Sequence, residues 1–223
     1  MSAEEPFQFE ATPGKLPKQI VPTDYAIRIV PNVDKRTFAG TETVKLNVRA
    51  PVREIVLNGI EIDVASAAVD DKTLLRSAIK IDKQNELLRI ALSSELSAGD
   101  HTLALSFSGK INEQGQGLFY APYQEQGSGA KKTVLGTQFE ATDARRLFPC
   151  WDEPAFRARF QLTAVVPDNW LAVSNMPIEK ETRLDGRDGP PGRPPQSGVK
   201  EVRFATTPPM SSYLNVFVAG ELD

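Results

Sequence analysis

Seven ionisable or amide side chains are concentrated between residues 138 and 153, next to a run of large apolar ones. They are Gln138, Glu140, Asp143, Arg145, Arg146, Asp152 and Glu153. A carboxylate held at a fixed position can bind a cationic group such as a free amine, because hydrogen bonds between charged partners are the strong ones. The same mixture of charges can also neutralise itself in a buried ion-pair network. The cluster therefore indicates either a binding site or an internal network.

Spacing alone does not decide between these two interpretations for Glu140, since Arg145 and Arg146 are within reach as salt-bridge partners. For Asp152 and Glu153 the neighbouring arginines favour a structural role, in which the charges hold a turn in place. Cys150, between Pro149 and Trp151, is expected to be a packed apolar residue and not a nucleophile.

The single histidine, His101, lies in Ala98-Gly-Asp-His-Thr, which we interpret as a solvated turn. One histidine excludes a His-Glu-x-x-His motif and any site that needs two imidazoles within these residues.

Composition sets further limits. The chain has 223 residues, of which 40% are hydrophobic and 25% charged, and this is typical of a globular protein with a sizeable core. A net charge of −3 gives no electrostatic reason to expect nucleic acid as a partner. One cysteine excludes an internal disulfide framework. No stretch reaches the roughly 20 apolar residues of a membrane span, and the acidic N-terminus does not resemble a signal peptide. We expect a soluble chain, either cytoplasmic or exported after signal removal.

The elements that must position the cluster are strands. Apolar and polar residues alternate from Phe156 to Val166, and shorter alternating runs recur about every 8 to 12 residues between turn signals. This pattern predicts an all-β fold, an antiparallel sandwich or barrel, from residue 20 to 223, preceded by a polar N-terminal arm over 1–19. The best helical segment is a short one at 141–147, ended by Pro149. A Pro- and Gly-rich loop at 185–197 is expected to be mobile.

Several ordered motifs resemble the amino-terminal domain of the zinc aminopeptidases of the aminopeptidase N type, a gluzincin metallopeptidase family. They are Ile-Val-Pro-Thr-Asp-Tyr at 20–25, Gly-Leu-Phe-Tyr at 117–120, Thr-Gln-Phe-Glu at 137–140, Phe-Pro-Cys-Trp-Asp-Glu-Pro at 148–154 and Pro-Met-Ser-Ser-Tyr-Leu at 209–214. The resemblance covers essentially the whole chain. The family's Gly-Ala-Met-Glu-Asn and His-Glu-x-x-His motifs are missing and would follow residue 223.

The resemblance implies a saddle-like β-sandwich that leans over a separate catalytic domain. It also implies that Glu140 receives the α-amine of a peptide substrate and that Gln138 lines the pocket for the first side chain. The partners are then peptide N-termini together with a missing catalytic domain. Zinc is implied for the full-length enzyme, no cofactor is bound by this fragment, and the chain alone is expected to be inactive.

A second function remains open, that of a non-catalytic β-sandwich module for protein interaction, because a fold by itself does not establish an activity. The two are distinguished by whether the reading frame continues past Asp223 into a His-Glu-x-x-His segment. A carbohydrate-binding sandwich is a third option, but Tyr123 and Trp170 are too few unassigned aromatic residues to support it.

Overall fold

A computed structural model describes residues 9–184 and 198–222. The loop expected at 185–197 and the first eight residues of the arm lie outside this part of the chain. The described residues form fifteen strands and four 3₁₀ turns. The turns are Phe9–Ala11, Arg76–Ala78, Ala144–Arg146 and Ser212–Leu214. Among these residues no helix has the length and apolar character needed to cross a membrane.

Eight strands form one large sheet. They are β1 (Ile20–Asn32), β2 (Thr37–Val48), β4 (Ile62–Val69), β5 (Lys72–Thr73), β8 (Gly99–Lys110), β11 (Arg159–Pro167), β13 (Ile178–Leu184) and β14 (Val199–Phe204), in the spatial order β13-β14-β11-β1-β2-β8-β4-β5. β2 alternates exposed and buried residues along its whole length, so one face of the sheet packs on the core and the other faces solvent.

Two smaller antiparallel sheets complete the fold. The four-stranded sheet has β9 (Gly117–Gln124), β10 (Lys131–Gln138), β12 (Leu171–Ser174) and β15 (Phe217–Gly220), in the order β12-β15-β10-β9. The three-stranded sheet has β3 (Val52–Asn58), β7 (Leu87–Leu96) and β6 (Ile79–Asp82) in that order. One continuous apolar core receives side chains from all three sheets, including Tyr25, Ile55 and Leu135. The predicted all-β sandwich is confirmed.

Two details of this fold differ from the sequence-based expectation. The large sheet is not purely antiparallel, because β1 and β11 pair in parallel from Asp24 with Arg159 to Ile29 with Ala164. A parallel pair needs a long crossover, and here most of the chain lies between its two strands. The strand expected from Phe156 begins only at Arg159, since a turn bond from the Phe156 amide to the Glu153 carbonyl occupies the preceding residues.

The short helix expected at 141–147 is a single 3₁₀ turn, Ala144–Arg146. Phe119 is only half-buried, and its ring lies over Gly136 on the face of the four-stranded sheet that points away from the core. Its neighbour Leu118 is fully buried in the core, and Tyr120 packs against that core.

Candidate functional site

The candidate site lies where β10 ends. Phe139, the residue after the strand, is 3% exposed and fixes the chain to the core. Because successive side chains point to opposite sides of a strand, a buried Phe139 directs Gln138 outward, and Glu140 begins the turn that follows. Both residues are exposed, and the peptide bond between Glu140 and Ala141 is cis. The two candidate residues are therefore neighbours on the same accessible edge of the molecule.

Gly117 allows β9, the strand beside β10, to pack closely against the 3₁₀ turn Ala144–Arg146. Gly117 lies opposite Gln138 in the ladder between β9 and β10 and has a φ of 61°. A Cβ at this position would come within 2.8 Å of the Arg146 Cβ, so only a glycine fits between the strand and the 3₁₀ turn. The start of β9, which pairs with the end of β10, is thus held against the segment that carries both arginines.

The Glu140 carboxylate accepts no hydrogen bond and forms no ion pair with any residue in 9–184 or 198–222. The same is true of the Gln138 side chain in that part of the chain. This is unusual in the cluster, because Asp143, Arg145, Arg146 and Asp152 all form ion pairs. An exposed carboxylate without an intramolecular partner is free to receive a cationic group.

Arg145 binds residues other than Glu140. Its Nε donates to Asp152 Oδ2 at 3.0 Å, its Nη1 donates to Glu86 Oε2 at 2.8 Å, and its Nη2 donates to the Asp152 carbonyl at 2.9 Å. Ser212 Oγ donates to the second Asp152 oxygen at 2.5 Å. Asp152 and Arg145 are both buried, so this pair is the internal network that the charge pattern also allowed.

Arg146 is also paired, with Asp143 Oδ1 at 2.7 Å from its Nε and Glu61 Oε2 at 2.8 Å from its Nη1. Neither arginine is therefore a partner of Glu140 in the structure. The salt-bridge interpretation of Glu140, which spacing left open, does not describe this arrangement.

The remaining acidic residue of the cluster, Glu153, also has a structural role. Its Oε1 accepts hydrogen bonds from the backbone amides of Lys15 and Leu16, at 2.6 and 3.0 Å. These bonds attach the N-terminal arm to the turn before β11, and Leu16 is buried beside them. The expectation that Asp152 and Glu153 hold a turn in place is confirmed.

Cys150 is fully buried, and its backbone exchanges two hydrogen bonds with Asn58. Burial raises the pKa of the Cys150 thiol well above its ordinary value, and the charge of Asp152 acts in the same direction. A thiol is a poor nucleophile when it remains protonated and inaccessible. The expectation of a packed apolar cysteine is confirmed.

The interpretation of His101 as a solvated turn residue is wrong. His101 lies within β8, opposite Leu46 of β2, and its side chain is 13% exposed. Its Nδ1 is 2.6 Å from Asp70 Oδ2, and its Nε2 is 2.9 Å from the Ser97 carbonyl. The hydrogen bond to Asp70 raises the pKa of His101, although desolvation opposes the shift. The ladder between β2 and β8 continues through residues that look like a turn, because the two strands stay paired as far as Val48 and Gly99.

The burial of one carboxyl group, that of Glu42, was not predicted from the sequence. Glu42 is 3% exposed, and neither of its carboxyl oxygens has a hydrogen-bond partner. Burial raises the pKa of Glu42 well above its ordinary value. The sequence does contain a signal, because Glu42 has the same strand parity as Val44 and Leu46, the apolar residues that alternate with Lys45 and Asn47. Glu42 lies within the core and is separate from the candidate site.

No group of three histidine, cysteine, aspartate or glutamate side chains within the described ranges is arranged to hold a metal ion. The acidic residues Asp143 and Asp152 near Glu140 already form ion pairs with Arg146 and Arg145. These residues therefore do not fit a zinc site, and what the site offers is a carboxylate and an amide for binding.

Comparison with known proteins identifies the family of this chain. A family model described as the peptidase M1 N-terminal domain matches residues 21–214. The chain is 39% identical over 220 residues to an aminopeptidase N of Acetobacter pasteurianus. The aligned region covers 99% of this chain and 58% of that protein. It is 37% identical to aminopeptidase M1-C of rice over 94% of this chain, and 36% identical to aminopeptidase M1 of Arabidopsis thaliana over 97% of it. The chain spans only 22% and 24% of those two plant proteins.

Proposed function

Because the chain belongs to the peptidase M1 N-terminal domain family, we propose that it is the substrate-anchoring part of an aminopeptidase that removes residues from the N-termini of peptides. Glu140 receives the free α-ammonium group of the substrate, and Gln138 lines the pocket for its first side chain. The observation that supports this assignment is the exposed Glu140 carboxylate, which has no intramolecular partner among the described residues while both neighbouring arginines are paired.

The chemistry suits an exopeptidase. Such an enzyme must distinguish a terminal ammonium group from an internal amide, and an ionised carboxylate favours the ammonium group because that group is positively charged whereas the amide N–H is neutral. A charge-assisted bond is roughly twice as strong as a neutral one. Anchoring the amine also fixes the distance from the anchor to the first peptide bond, so binding places that bond for reaction. The Gln138 amide can donate and accept at the same edge.

The bond-breaking chemistry belongs to a catalytic part outside these residues. The described ranges offer no set of metal ligands, and the two plant relatives are about four times as long as this chain. The zinc that the family resemblance implies would be held there. The present residues bind and orient the substrate but do not activate water.

The first test is an assay of the 223-residue chain with added zinc on an aminoacyl anilide. We expect no turnover above buffer. Turnover that a chelator abolishes would contradict the assignment of the chemistry to another part of the enzyme.

The second test uses a chimera in which this chain replaces the matched segment of the Arabidopsis aminopeptidase M1. We expect Glu140→Gln to lower kcat/KM about 10- to 150-fold, which corresponds to the roughly 1.5–3 kcal/mol of a hydrogen bond to a charged group. Glu179→Gln is the matched control, because Glu179 is exposed on β13 and pairs only with other surface side chains. Equal activity of the two variants would overturn the role of Glu140.

A further inference from the structure

The position of the Glu140 carboxylate depends on the turn that carries it, since its side chain has no intramolecular partner among the described residues. Glu140, Ala141 and Thr142 are all exposed. The Asp143 amide donates to the Phe139 carbonyl at 2.8 Å and closes this turn. Three exposed residues thus lie between two ends, and whatever holds Phe139 and Asp143 sets where the Glu140 carboxylate lies.

The core holds the first end of the turn, and an ion pair holds the second. Phe139 is buried. Asp143 Oδ1 accepts a hydrogen bond from Arg146 Nε at 2.7 Å, and the side chains of both residues are 17% exposed. A pair that is shielded from water to this extent is screened much less than a surface pair. The second end of the turn therefore depends on where the Arg146 guanidinium lies.

Arg146 is itself fixed from two further directions. Its Nη1 binds Glu61 Oε2 at 2.8 Å, and Glu61 is attached to the same region because the amide of Ile60 donates to the Arg145 carbonyl at 3.2 Å. The Arg146 Cβ also packs so closely on Gly117 that a Cβ there would lie 2.8 Å from it. A guanidinium is planar and its donors point in fixed directions, so carboxylates at both Nε and Nη1 leave it little freedom to turn.

These contacts connect the two candidate binding residues. Gly117 is the ladder partner of Gln138, and Asp143 ends the turn that carries Glu140. Arg146 contacts Gly117 and Asp143 at once, so it fixes the turn of Glu140 relative to the strand that pairs with Gln138. Such precision matters for an anchor, because a displacement of about 1 Å can lower a reaction rate roughly 100-fold.

We propose that Asp143 and Arg146 are positioning residues of the substrate anchor: their ion pair, held in turn by Glu61, keeps the Glu140 carboxylate where it meets the α-ammonium group of the substrate. This inference rests on the proposed function. Both residues act through Glu140 and do not bind the substrate themselves. The positive charge of Arg146 is balanced by the carboxylates of Asp143 and Glu61, so the guanidinium leaves the negative charge of Glu140 available to the substrate.

The preference of the enzyme for a substrate amine tests the proposal. Variants of the Arabidopsis chimera are assayed with alanyl anilide and with its lactyl analogue, in which a hydroxyl group replaces the α-amine. We expect Asp143→Ala to lower kcat/KM about tenfold for alanyl anilide and less than about threefold for the lactyl analogue. Asp143→Asn keeps an oxygen that can accept from Arg146 Nε, so it should lose less. Asp63→Ala is the matched control, because Asp63 is 71% exposed on β4 and pairs with Arg76, and it should stay within about twofold of the unchanged chimera.

A double variant separates positioning from a general loss of stability. With Glu140→Gln already present, Asp143→Ala should change kcat/KM for alanyl anilide less than about twofold, because a positioning residue has no effect once the group that it positions is gone. If Asp143→Ala does not fold in the chimera, Asp143→Asn replaces it, with an expected loss of about threefold that depends on the amine and on Glu140 in the same way.

The proposal would be overturned if Asp143→Ala left the activity unchanged, lowered it equally for both substrates, or lowered it as much with Glu140→Gln present as without it. In the last two cases the ion pair stabilises the fold and does not position the anchor. The two proposals fail differently. If Glu140→Gln loses the amine preference while Asp143→Ala keeps it, only the positioning role is refuted, whereas a Glu140→Gln variant that keeps the preference refutes the anchor itself.

Discussion

Replacing Glu42 with methionine is expected to stabilise this protein, although the change removes a charged group from the middle of a strand. Glu42 is buried in the core, and neither of its carboxyl oxygens has a hydrogen-bond partner. A buried polar group without a partner costs roughly 1–3 kcal/mol in protein mutational data. Methionine has a similar length and no polar hydrogen-bonding group of comparable strength, so it removes this cost without leaving a large cavity.

The gain depends on pH, and its sign follows from the direction of the pKa shift. Burial raises the pKa of Glu42 above its ordinary value of 4.5, so the folded state holds the proton more tightly than the unfolded state. The contribution of Glu42 to stability is therefore greatest below 4.5 and is lost as the pH rises through the folded pKa. Within that window the free energy of unfolding falls by up to about 1.4 kcal/mol per pH unit. Methionine does not titrate, so its advantage grows in the same window.

Thermal unfolding at about pH 5 and about pH 8 measures both effects, since each kcal/mol corresponds to roughly 2–4 °C in a chain of this size. We expect Glu42→Met to melt several degrees higher than the wild type at the higher pH and to differ less at the lower one. Glu95→Met, at an exposed position on β7, is the control and should stay within about 0.5 kcal/mol of the wild type. The reasoning would be refuted if Glu42→Met melted below the wild type at the higher pH, or if the difference in melting temperature between the two proteins did not change with pH.

Two further substitutions test the charged pairs. His101→Gln should cost most stability between the ordinary pKa values of Asp70 and His101, 3.8 and 6.5, and less as the pH rises through the raised pKa of His101, because the histidine of the wild type then loses its charge. Melting temperatures from about pH 4 to about pH 9 check this, and a loss that does not shrink toward the higher pH would contradict it. Arg145→Met should cost about 3–5 kcal/mol in urea unfolding, because it leaves Asp152 buried without its cation. Arg76→Met, at a side chain that is 54% exposed, should cost at most about 1 kcal/mol. Similar losses in the free energy of unfolding for the two variants would show that the buried ion pair stabilises the fold no more than the exposed one.

Local alternation predicts most of the strands but not how they are arranged. The period-two pattern from Thr41 to Val48 follows from one buried face, and it locates β2 well. The parallel pairing of β1 with β11 depends on contacts between residues more than a hundred positions apart, and no local pattern encodes it. His101 shows the same limit, since turn-like neighbours are drawn into β8 by a partner strand that local sequence does not specify.

The candidate site was likewise only partly predictable from the sequence. The alternation across Phe139 was enough to place Gln138 and Glu140 on one exposed edge once the core was known. Which carboxylate each arginine binds could not be read from spacing, because Glu86 and Glu61, which bind Arg145 and Arg146, come from distant turns. Those long-range ion pairs are what leave Glu140 without a partner among the described residues.

The most direct measurement of the central claim is a cycle that removes the carboxylate and the substrate amine separately. The Arabidopsis chimera and its Glu140→Gln variant are each assayed with alanyl anilide and with the lactyl analogue, in which a hydroxyl group replaces the α-amine. If Glu140 binds the ammonium group, loss of the amine lowers kcat/KM of the unchanged chimera at least about tenfold more than that of the variant. The same preference for the amine in both proteins would show that another group anchors the substrate.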